Sequence, residues 1–194
     1  MRVQNILIWG YIKIPNVNIK CCHLGSKLMY TFGRLGMDLL NIKNHGVSNN
    51  DTVIFCFGEI DCRNHVHKHI TNYKSYKNVI DELVTNYFNA IKENISQYSN
   101  LITCVYNVVP PHMYIHEGPT HPFPFLGTDE ERKTYHIYMN EKLKELCKQN
   151  KFFYFDIYNE SCDTEGFLKK DFSDGNVHLR NTTHSTEIIK KFLI

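Results

Sequence analysis

The sequence lacks the features that mark nucleic-acid-binding, membrane-spanning and nucleotide-binding proteins. Lysine and arginine number 22 against 20 aspartate and glutamate, and the net charge of +2 forms no basic tail or stripe, which argues against a nucleic-acid partner. The apolar run in the N-terminal stretch MRVQNILIWGYIKI is too short to span a bilayer. No Gly-rich phosphate loop follows the first predicted strand, so a nucleotide is a poor candidate ligand. We therefore expect neither nucleic acid nor a membrane among the partners.

Cysteines are present but follow no pattern. The seven form an odd number, with neither a CxxC pair nor regular spacing, and the N-terminal stretch has no small-residue cleavage site. These observations predict a cytoplasmic protein with seven reduced thiols. The sequons at Asn94, Asn159 and Asn181 then carry no weight, because glycosylation requires the secretory route.

The order of apolar segments predicts a single α/β domain over residues 1–194. Hydrophobic residues make up 42% of the chain and charged residues 22%, which suffices for one buried core. There is no internal repeat, low-complexity segment or linker. Short apolar runs that predict strands lie at residues 17–24, 37–42, 52–57, 101–109 and 151–157. Because helical patterns alternate with these runs, we predict a three-layer sandwich with a mostly parallel sheet of about five strands.

Helices are predicted where apolar residues recur three and four positions apart. This spacing runs through residues 76–98 and marks one buried helix face. Thr128 followed by Glu131 has the pattern of a capping box that opens another helix, and residues 185–193 form a predicted closing helix. The connection at residues 112–127 is long and rich in proline, glycine and aromatic residues, which predicts a lid or a binding loop.

Three polar segments fall where strands end or helices begin, the edge at which open parallel sheets place their sites. The first contains Ser26, which follows a predicted strand and precedes a helix. A serine in this place exposes its hydroxyl at the sheet edge, and its own backbone N–H faces a developing oxyanion. The alternative interpretation is that Ser26 caps the helix.

The second segment is residues 57–63, which combine a glycine, two acids and an arginine after a buried strand. Gly58 allows a ligand to approach the backbone closely. Glu59, Asp61 and Arg63 are expected to line a substrate pocket, where Arg63 binds a carboxylate. The alternative is a structural ion pair that fixes the loop.

The third segment, residues 174–178, reads DGNVH and precedes the closing helix. His178, with Asp174 upstream, suits a general base oriented by a carboxylate. The alternative is a surface histidine beside a turn aspartate, since an Asp-Gly pair favours a turn.

Taken together, the three segments resemble the SGNH (GDSL-like) hydrolases over nearly the whole chain. Ser26 in Leu-Gly-Ser matches the nucleophile of the family's Gly-Asp-Ser block. Residues 58–61 are similar to its Gly-x-Asn-Asp block, and His178 matches the histidine of its Asp-x-x-His block. The double proline at residues 110–111, after a strand, is also similar to these proteins.

The resemblance implies a flavodoxin-like SGNH fold and a serine esterase. In this scheme Ser26 is the nucleophile, His178 the base and Asp174 the acid that orients the imidazole. The oxyanion hole would use backbone groups of Gly25, Ser26 and Gly58. The implied substrate is a small-molecule or glycan ester, with an O-acetylated sugar as the expected case, and no cofactor is implied.

The sequence departs from the family pattern in three ways. Ile60 stands where the family has its oxyanion asparagine, Asp174 lies one residue further from His178 than in the family, and the second-block glycine has no clear counterpart. Backbone N–H groups and Arg63 would have to rebuild the oxyanion hole. Two other functions stay open: a degenerate SGNH fold that binds a glycan or a protein without turnover, and an O-acyltransferase that uses the same serine.

Two other groups of residues are possible sites. His65, His67 and His69 open a helical segment, where side chains two positions apart diverge, and no acid or cysteine completes a zinc set. We expect no metal. Cys21 and Cys22 precede Ser26 and are expected to be small buried hydrophobes, with a nucleophilic thiol as the alternative.

Overall fold

The computed structural model of the protein describes residues 6–7, 19–20, 22–113, 123–175, 177, 179 and 187. Strands β1 to β5 are, in chain order, Ile6–Leu7, Ile19–Lys20, Thr52–Phe55, Ile102–Tyr106 and Phe153–Phe155. Helices α1 to α5 are Met29–Leu35, Val66–Lys68, Tyr76–Ile95, Asp129–Asn150 and Tyr158–Ser161. Short 3₁₀ segments lie at Gly36–Asp38, Ile42–His45 and Lys170–Phe172, and the π-helical turn Asp61–His65 leads into α2.

The described strands form one parallel sheet in the order β2-β1-β3-β4-β5. The longest pairing joins β3 to β4, with Thr52 opposite Ile102 and Phe55 opposite Val105. The predicted α/β class with a parallel sheet is therefore confirmed. Of these five strands only β3, β4 and β5 have more than two described residues, whereas β1 and β2 are paired segments of two residues.

The core lies between the central strands and the helices α1, α3 and α4. Val53 and Phe55 of β3 and Val105 of β4 are buried in one cluster with residues of these helices. In this layer α1 packs against α3, and α3 packs against α4. The predicted third layer stays a prediction, since residues 185–193 lie outside the described residues except for Glu187.

Helices α3 and α4 both begin at capping boxes. At α3, the Ser75 side chain accepts from the Asn78 N–H while the Asn78 side chain accepts from the Ser75 N–H. Thr128 and Glu131 make the same reciprocal pair at α4, which confirms the predicted capping box. The buried positions of α3 recur at helical spacing, as predicted: Val79, Ile80, Leu83, Val84, Tyr87, Phe88, Ala90, Ile91 and Asn94.

Two segments predicted as strands have other conformations. Residues 37–42 lie in and between the 3₁₀ segments that follow α1, so the strand predicted there is wrong. Ile42 is buried, and its N–H donates to Oδ1 of Asn94 in α3 at 3.1 Å. The apolar side chains are thus buried against a helix and not in the sheet. Residues 22–24, predicted to continue the strand that contains β2, also lie outside the sheet.

The described cysteines do not form disulfides. Six of the seven lie in the described part of the chain and all six are free thiols, whereas Cys21 lies outside it. None of the described helices is long and apolar enough to cross a membrane.

Candidate active site

Ser26 lies in a tight turn between β2 and α1, and it is exposed. The Lys27 N–H donates to the Gly25 carbonyl at 2.8 Å, which closes a three-residue turn with Ser26 at its centre. Gly25 has a φ of +72°, a left-handed conformation that favours glycine. The interpretation of Ser26 as a helix cap is wrong, because α1 begins at Met29 and its N-cap residue is Leu28.

Asp61 anchors the helix that follows this turn. The N–H groups of Met29 and Tyr30 donate to the Asp61 carboxylate, at 2.6 Å to Oδ2 and 3.1 Å to Oδ1. These are orphan donors at the start of α1, and an acid there also complements the helix dipole. The Asp61 side chain is 0% exposed. Asp61 thus holds the start of α1, close to the turn that carries Ser26, and its place in a substrate pocket stays a prediction.

The ionisation of Asp61 is controlled by opposing effects. The pKa of Asp61 is raised from 3.8 to about 7, chiefly by burial and to a smaller extent by the nearby Glu59 carboxylate. The hydrogen bonds from Tyr30 and Met29 favour the charged form and lower the pKa. Desolvation is the largest of these effects, so Asp61 changes its charge close to neutral pH.

We expect Asp61 to make folding stability depend on pH. Its pKa is higher in the folded chain than in the unfolded chain, so between about pH 4 and 7 the folded state holds a proton that the unfolded state has lost. Stability from this group should fall as pH rises through that window, by at most about 1.4 kcal/mol per pH unit. Asp61→Asn should remove this slope, and denaturant unfolding of both proteins at several pH values measures it. Parallel stability profiles for the two proteins would contradict the assignment.

Gly58 is required by packing at the end of β3. It is buried and has a φ of +119°, and a Cβ there would lie 2.7 Å from Cγ2 of Val108 and 3.0 Å from Sδ of Met139. The neighbouring Ile60 is buried as well, so its aliphatic side chain contributes packing where the family pattern has a donor. The use of the Gly25 and Gly58 backbone groups at an oxyanion stays a prediction.

Arg63 lies inside the protein, where it joins two segments. It is 4% exposed, its Nε donates to Oε1 of Glu59 at 2.7 Å, and a second nitrogen donates to Oε2 at 3.3 Å. The remaining terminal nitrogen donates to the carbonyl of Phe123. Each of the three guanidinium nitrogens therefore has a protein acceptor. This geometry favours the structural ion pair over the predicted contacts of Arg63 and Glu59 with substrate.

The far end of the predicted binding loop is clamped by two arginines. The guanidinium of Arg63 lies 5.2 Å from the ring centre of Phe125, and that of Arg132 lies 4.9 Å from it. Arg132 is fully buried and donates to the carbonyl of Gly127 at 2.6 Å, and the Asn64 amide donates to the carbonyl of Pro124 at 3.0 Å. Residues 123–127, the anchored segment, are thus fixed to the π-helical turn and to α4.

Asp174, Gly175 and Val177 are the described residues of the DGNVH segment. Asp174 is exposed, Gly175 has a φ of +92°, and the Gly175 N–H donates to Oγ of Ser173 at 3.0 Å. Ser173 and Leu179 then pair in an antiparallel bridge. His178 lies outside the described residues. Its role as the base, and that of Asp174 as its partner, stay predictions.

Two amides that no sequence pattern marked, the buried Asn107 and the half-buried Asn140, hold the end of β4. The side chain of Asn140 in α4 accepts from the Val108 N–H at 2.8 Å and donates to the Val108 carbonyl at 2.7 Å. Asn107 accepts from the Ile157 N–H at 3.0 Å. Asn107 directly follows β4, a position that in hindsight marks it, whereas Asn140 sits in a helix without any distinguishing pattern. Together they fix the backbone of Val108, which packs against Gly58.

The three histidines of HVHKH do not act together. The rings of His65 and His69 lie 4.2 Å apart, and His65 also stacks on Tyr30 at 4.6 Å, whereas Nδ1 of His67 lies 3.1 Å from the hydroxyl of Tyr135. Burial lowers the pKa of His65 to about 4, which keeps its ring neutral at physiological pH. Among the described residues, no group of three or more histidines, cysteines and acids is arranged to hold a metal.

Comparisons with known proteins identify the fold. No model of a protein family and no curated protein sequence matches the chain, whereas solved structures do. A proposed platelet activating factor from Streptococcus pneumonia superposes with a TM-score of 0.62 and 13% identity over 93% of this chain and 74% of the other. A proposed acylhydrolase from Bacteroides fragilis superposes with a TM-score of 0.58 and 12% identity, over 92% of this chain and 72% of the other.

A third structure, a GDSL-like lipase from Bacteroides thetaiotaomicron, gives a TM-score of 0.57 and 14% identity over 91% of this chain and 73% of the other. At such low identity the likeness concerns the fold and not the activity. The similarity nevertheless extends over nine-tenths of the chain in each case, as the sequence resemblance predicted. This protein therefore has the SGNH-like fold of the GDSL acylhydrolases and lipases.

Proposed function

We propose that the protein is a serine esterase in which Ser26 is the nucleophile, His178 the general base and Asp174 the acid that orients His178. The observation that carries this proposal is the position of Ser26. It is exposed in a closed turn between β2 and α1, at the sheet edge where parallel α/β folds bind ligands. Asp61 fixes the start of α1 behind it, which supplies the rigid support that a nucleophile needs.

In the proposed reaction the Ser26 hydroxyl attacks the ester carbonyl while His178 takes the hydroxyl proton. Backbone N–H groups of Ser26 and Gly58 stabilise the oxyanion. Collapse of the tetrahedral intermediate expels the alcohol, which receives the proton from His178, and leaves the acyl group on Ser26. Water then attacks the acyl-enzyme with His178 again as base, so that the acid is released and Ser26 is restored.

The proposed substrate class is O-acetylated sugars or glycans. Beside the Ser26 turn, Tyr30 is 42% exposed and stacks on His65, which in turn packs on His69. Such a surface, with Tyr30 and His69 exposed and His65 half-buried between them, suits the apolar face of a sugar. The resemblance to SGNH proteins supports a short acyl group, and a long acyl chain is the competing possibility that the lipases among the fold neighbours raise.

A second candidate function is binding without turnover. Ile60 is buried at the position of the family's oxyanion asparagine, and each guanidinium nitrogen of Arg63 already donates within the protein. Loss of one oxyanion donor costs an enzyme about 3 kcal/mol of transition-state stabilisation. These two observations favour a module that binds a glycan without turnover. A further alternative is an O-acyltransferase, in which a sugar hydroxyl replaces water as the acceptor of the acyl group.

Hydrolysis assays on matched esters test the proposal. We expect the purified protein to hydrolyse p-nitrophenyl acetate and an O-acetylated sugar faster than a long-chain p-nitrophenyl ester. Faster cleavage of the long-chain ester would contradict the proposed sugar substrate but would still support an esterase activity. Saturable binding of the acetylated sugar in calorimetry, without product, would establish the binding function. Acetyl transfer to an added sugar in preference to water would establish the transferase.

A further inference from the structure

Cys22 and His45 form a thiol–imidazole pair that no part of the proposed esterase uses. The Cys22 sulfur lies 3.2 Å from Nδ1 and 3.5 Å from Nε2 of His45, within hydrogen-bond reach for a sulfur atom. The contact with Nδ1 is the shorter of the two, and in the tautomer that is protonated at Nε2 this nitrogen is the acceptor for the thiol proton. The two residues are 23 positions apart in sequence, so the tertiary fold creates the pair.

The pair lies at the surface and next to a cation. Cys22 and His45 are half-buried, and Cys22 packs against the core. Lys20 is exposed, and its ammonium group donates to the backbone carbonyl of His45 at 2.7 Å. Thiols become nucleophilic in partly exposed positions next to histidine or lysine.

Desolvation is the largest influence on the pKa values of the other described thiols. Burial raises the pKa of Cys56, Cys104 and Cys147 to about 12. Burial also raises the pKa of Cys62 well above its usual value and raises that of Cys162. These five thiols stay protonated at neutral pH, and a protonated thiol is a poor nucleophile.

We propose that Cys22 is a reactive thiol, with His45 as its base, that forms mixed disulfides with low-molecular-weight disulfides such as oxidised glutathione. The thiol proton passes to the His45 ring, and the Cys22 sulfur attacks one sulfur of the small disulfide. A new S–S bond forms, the old one breaks, and the departing thiolate takes the proton from the imidazolium. The Cys22 sulfur is oxidised and the departing sulfur is reduced, so the exchange needs no further oxidant.

This modification site is independent of the proposed esterase, since it requires neither Ser26 nor His178. Its position is nonetheless close: Cys22 and Ser26 lie in the same connection between β2 and α1. One half of the small disulfide would therefore be attached four residues before the proposed nucleophile.

Mass spectrometry of the full chain treated with oxidised glutathione near neutral pH tests the proposal. A Cys21→Ser background removes ambiguity between the two adjacent cysteines. We expect glutathione at Cys22 to accumulate at least about ten-fold faster than at half-buried Cys162. Equal rates at the two cysteines would overturn the proposal.

Histidine variants test the base. His45→Gln keeps a hydrogen-bonding side chain but no base, and should slow modification of Cys22 by about ten-fold or more while that of Cys162 stays unchanged. His23→Gln, at the exposed histidine next to Cys22, is the matched control and should not slow it. If His45→Gln lowers the melting temperature, His45→Asn replaces it. An unchanged Cys22 rate in a folded His45 variant would overturn the role of His45.

Discussion

Ser26→Ala is expected to lower kcat/KM for an acetyl ester by about 10³-fold or more, because the nucleophile and base act as a unit in serine esterases. His178→Ala should cause a loss of similar size. The double variant should lose little more than either single variant, since the second substitution removes a group that has no partner left. Steady-state kinetics on the three variants measures this non-additivity.

Two controls show whether the loss of activity is due to misfolding or is specific to Ser26. Ser26 is exposed in its turn, so Ser26→Ala should leave the melting temperature close to that of the wild type. Ser99→Ala removes another exposed serine, in the connection before β4, and should retain full activity. Losses that simply multiply in the double variant would contradict a coupled nucleophile and base, as would full activity in Ser26→Ala.

The second large effect is expected in stability. Arg63→Ala should destabilise the protein by about 3 kcal/mol, a fall in Tm of roughly 9 °C. The variant removes the bonds to Glu59 and Phe123 and the contact with the ring of Phe125. It also leaves the Glu59 carboxylate, 23% exposed, without this cation. Calorimetry or denaturant unfolding measures the loss.

Two companion variants separate the buried ion pair from a general charge effect. Arg63→Met combined with Glu59→Gln should recover part of the stability, because neither charge is then left without its partner in a desolvated place. Lys74→Ala breaks the exposed pair between Lys74 and Glu82 and should cost no more than about 1 kcal/mol. An unchanged Tm in Arg63→Ala, together with lost ester turnover, would restore the predicted role of Arg63 as a substrate contact.

Local patterns predicted the helices and central strands well. Apolar residues at helical spacing predicted α3, and the capping box of Thr128 and Glu131 predicted the start of α4. The prediction of a strand at residues 37–42 was wrong because a short apolar run indicates burial but not conformation. Its apolar side chains are buried through 3₁₀ segments, with Asn94 of α3 binding the backbone.

The sequence predicts a site residue when its role depends on its place relative to a strand or helix. It does not predict a role that depends on contacts with residues far away in the chain. The place of Ser26 follows from its position after a strand. The roles of Asp61 and Arg63 do not, since Asp61 binds N–H groups more than 30 positions earlier and Arg63 a carbonyl 60 positions later. The contact between Cys22 and His45 likewise joins residues that are 23 positions apart. No local pattern records such contacts.

The central claim is that Ser26 is a nucleophile activated by His178. Treatment of the wild-type protein with a fluorophosphonate, followed by peptide mass spectrometry, tests it most directly, because such reagents phosphonylate activated serines by the same attack that esters undergo. We predict one adduct, on Ser26, which is absent in Ser26→Ala and strongly reduced in His178→Ala. An adduct at another serine, or no adduct on folded protein that hydrolyses esters, would contradict the claim.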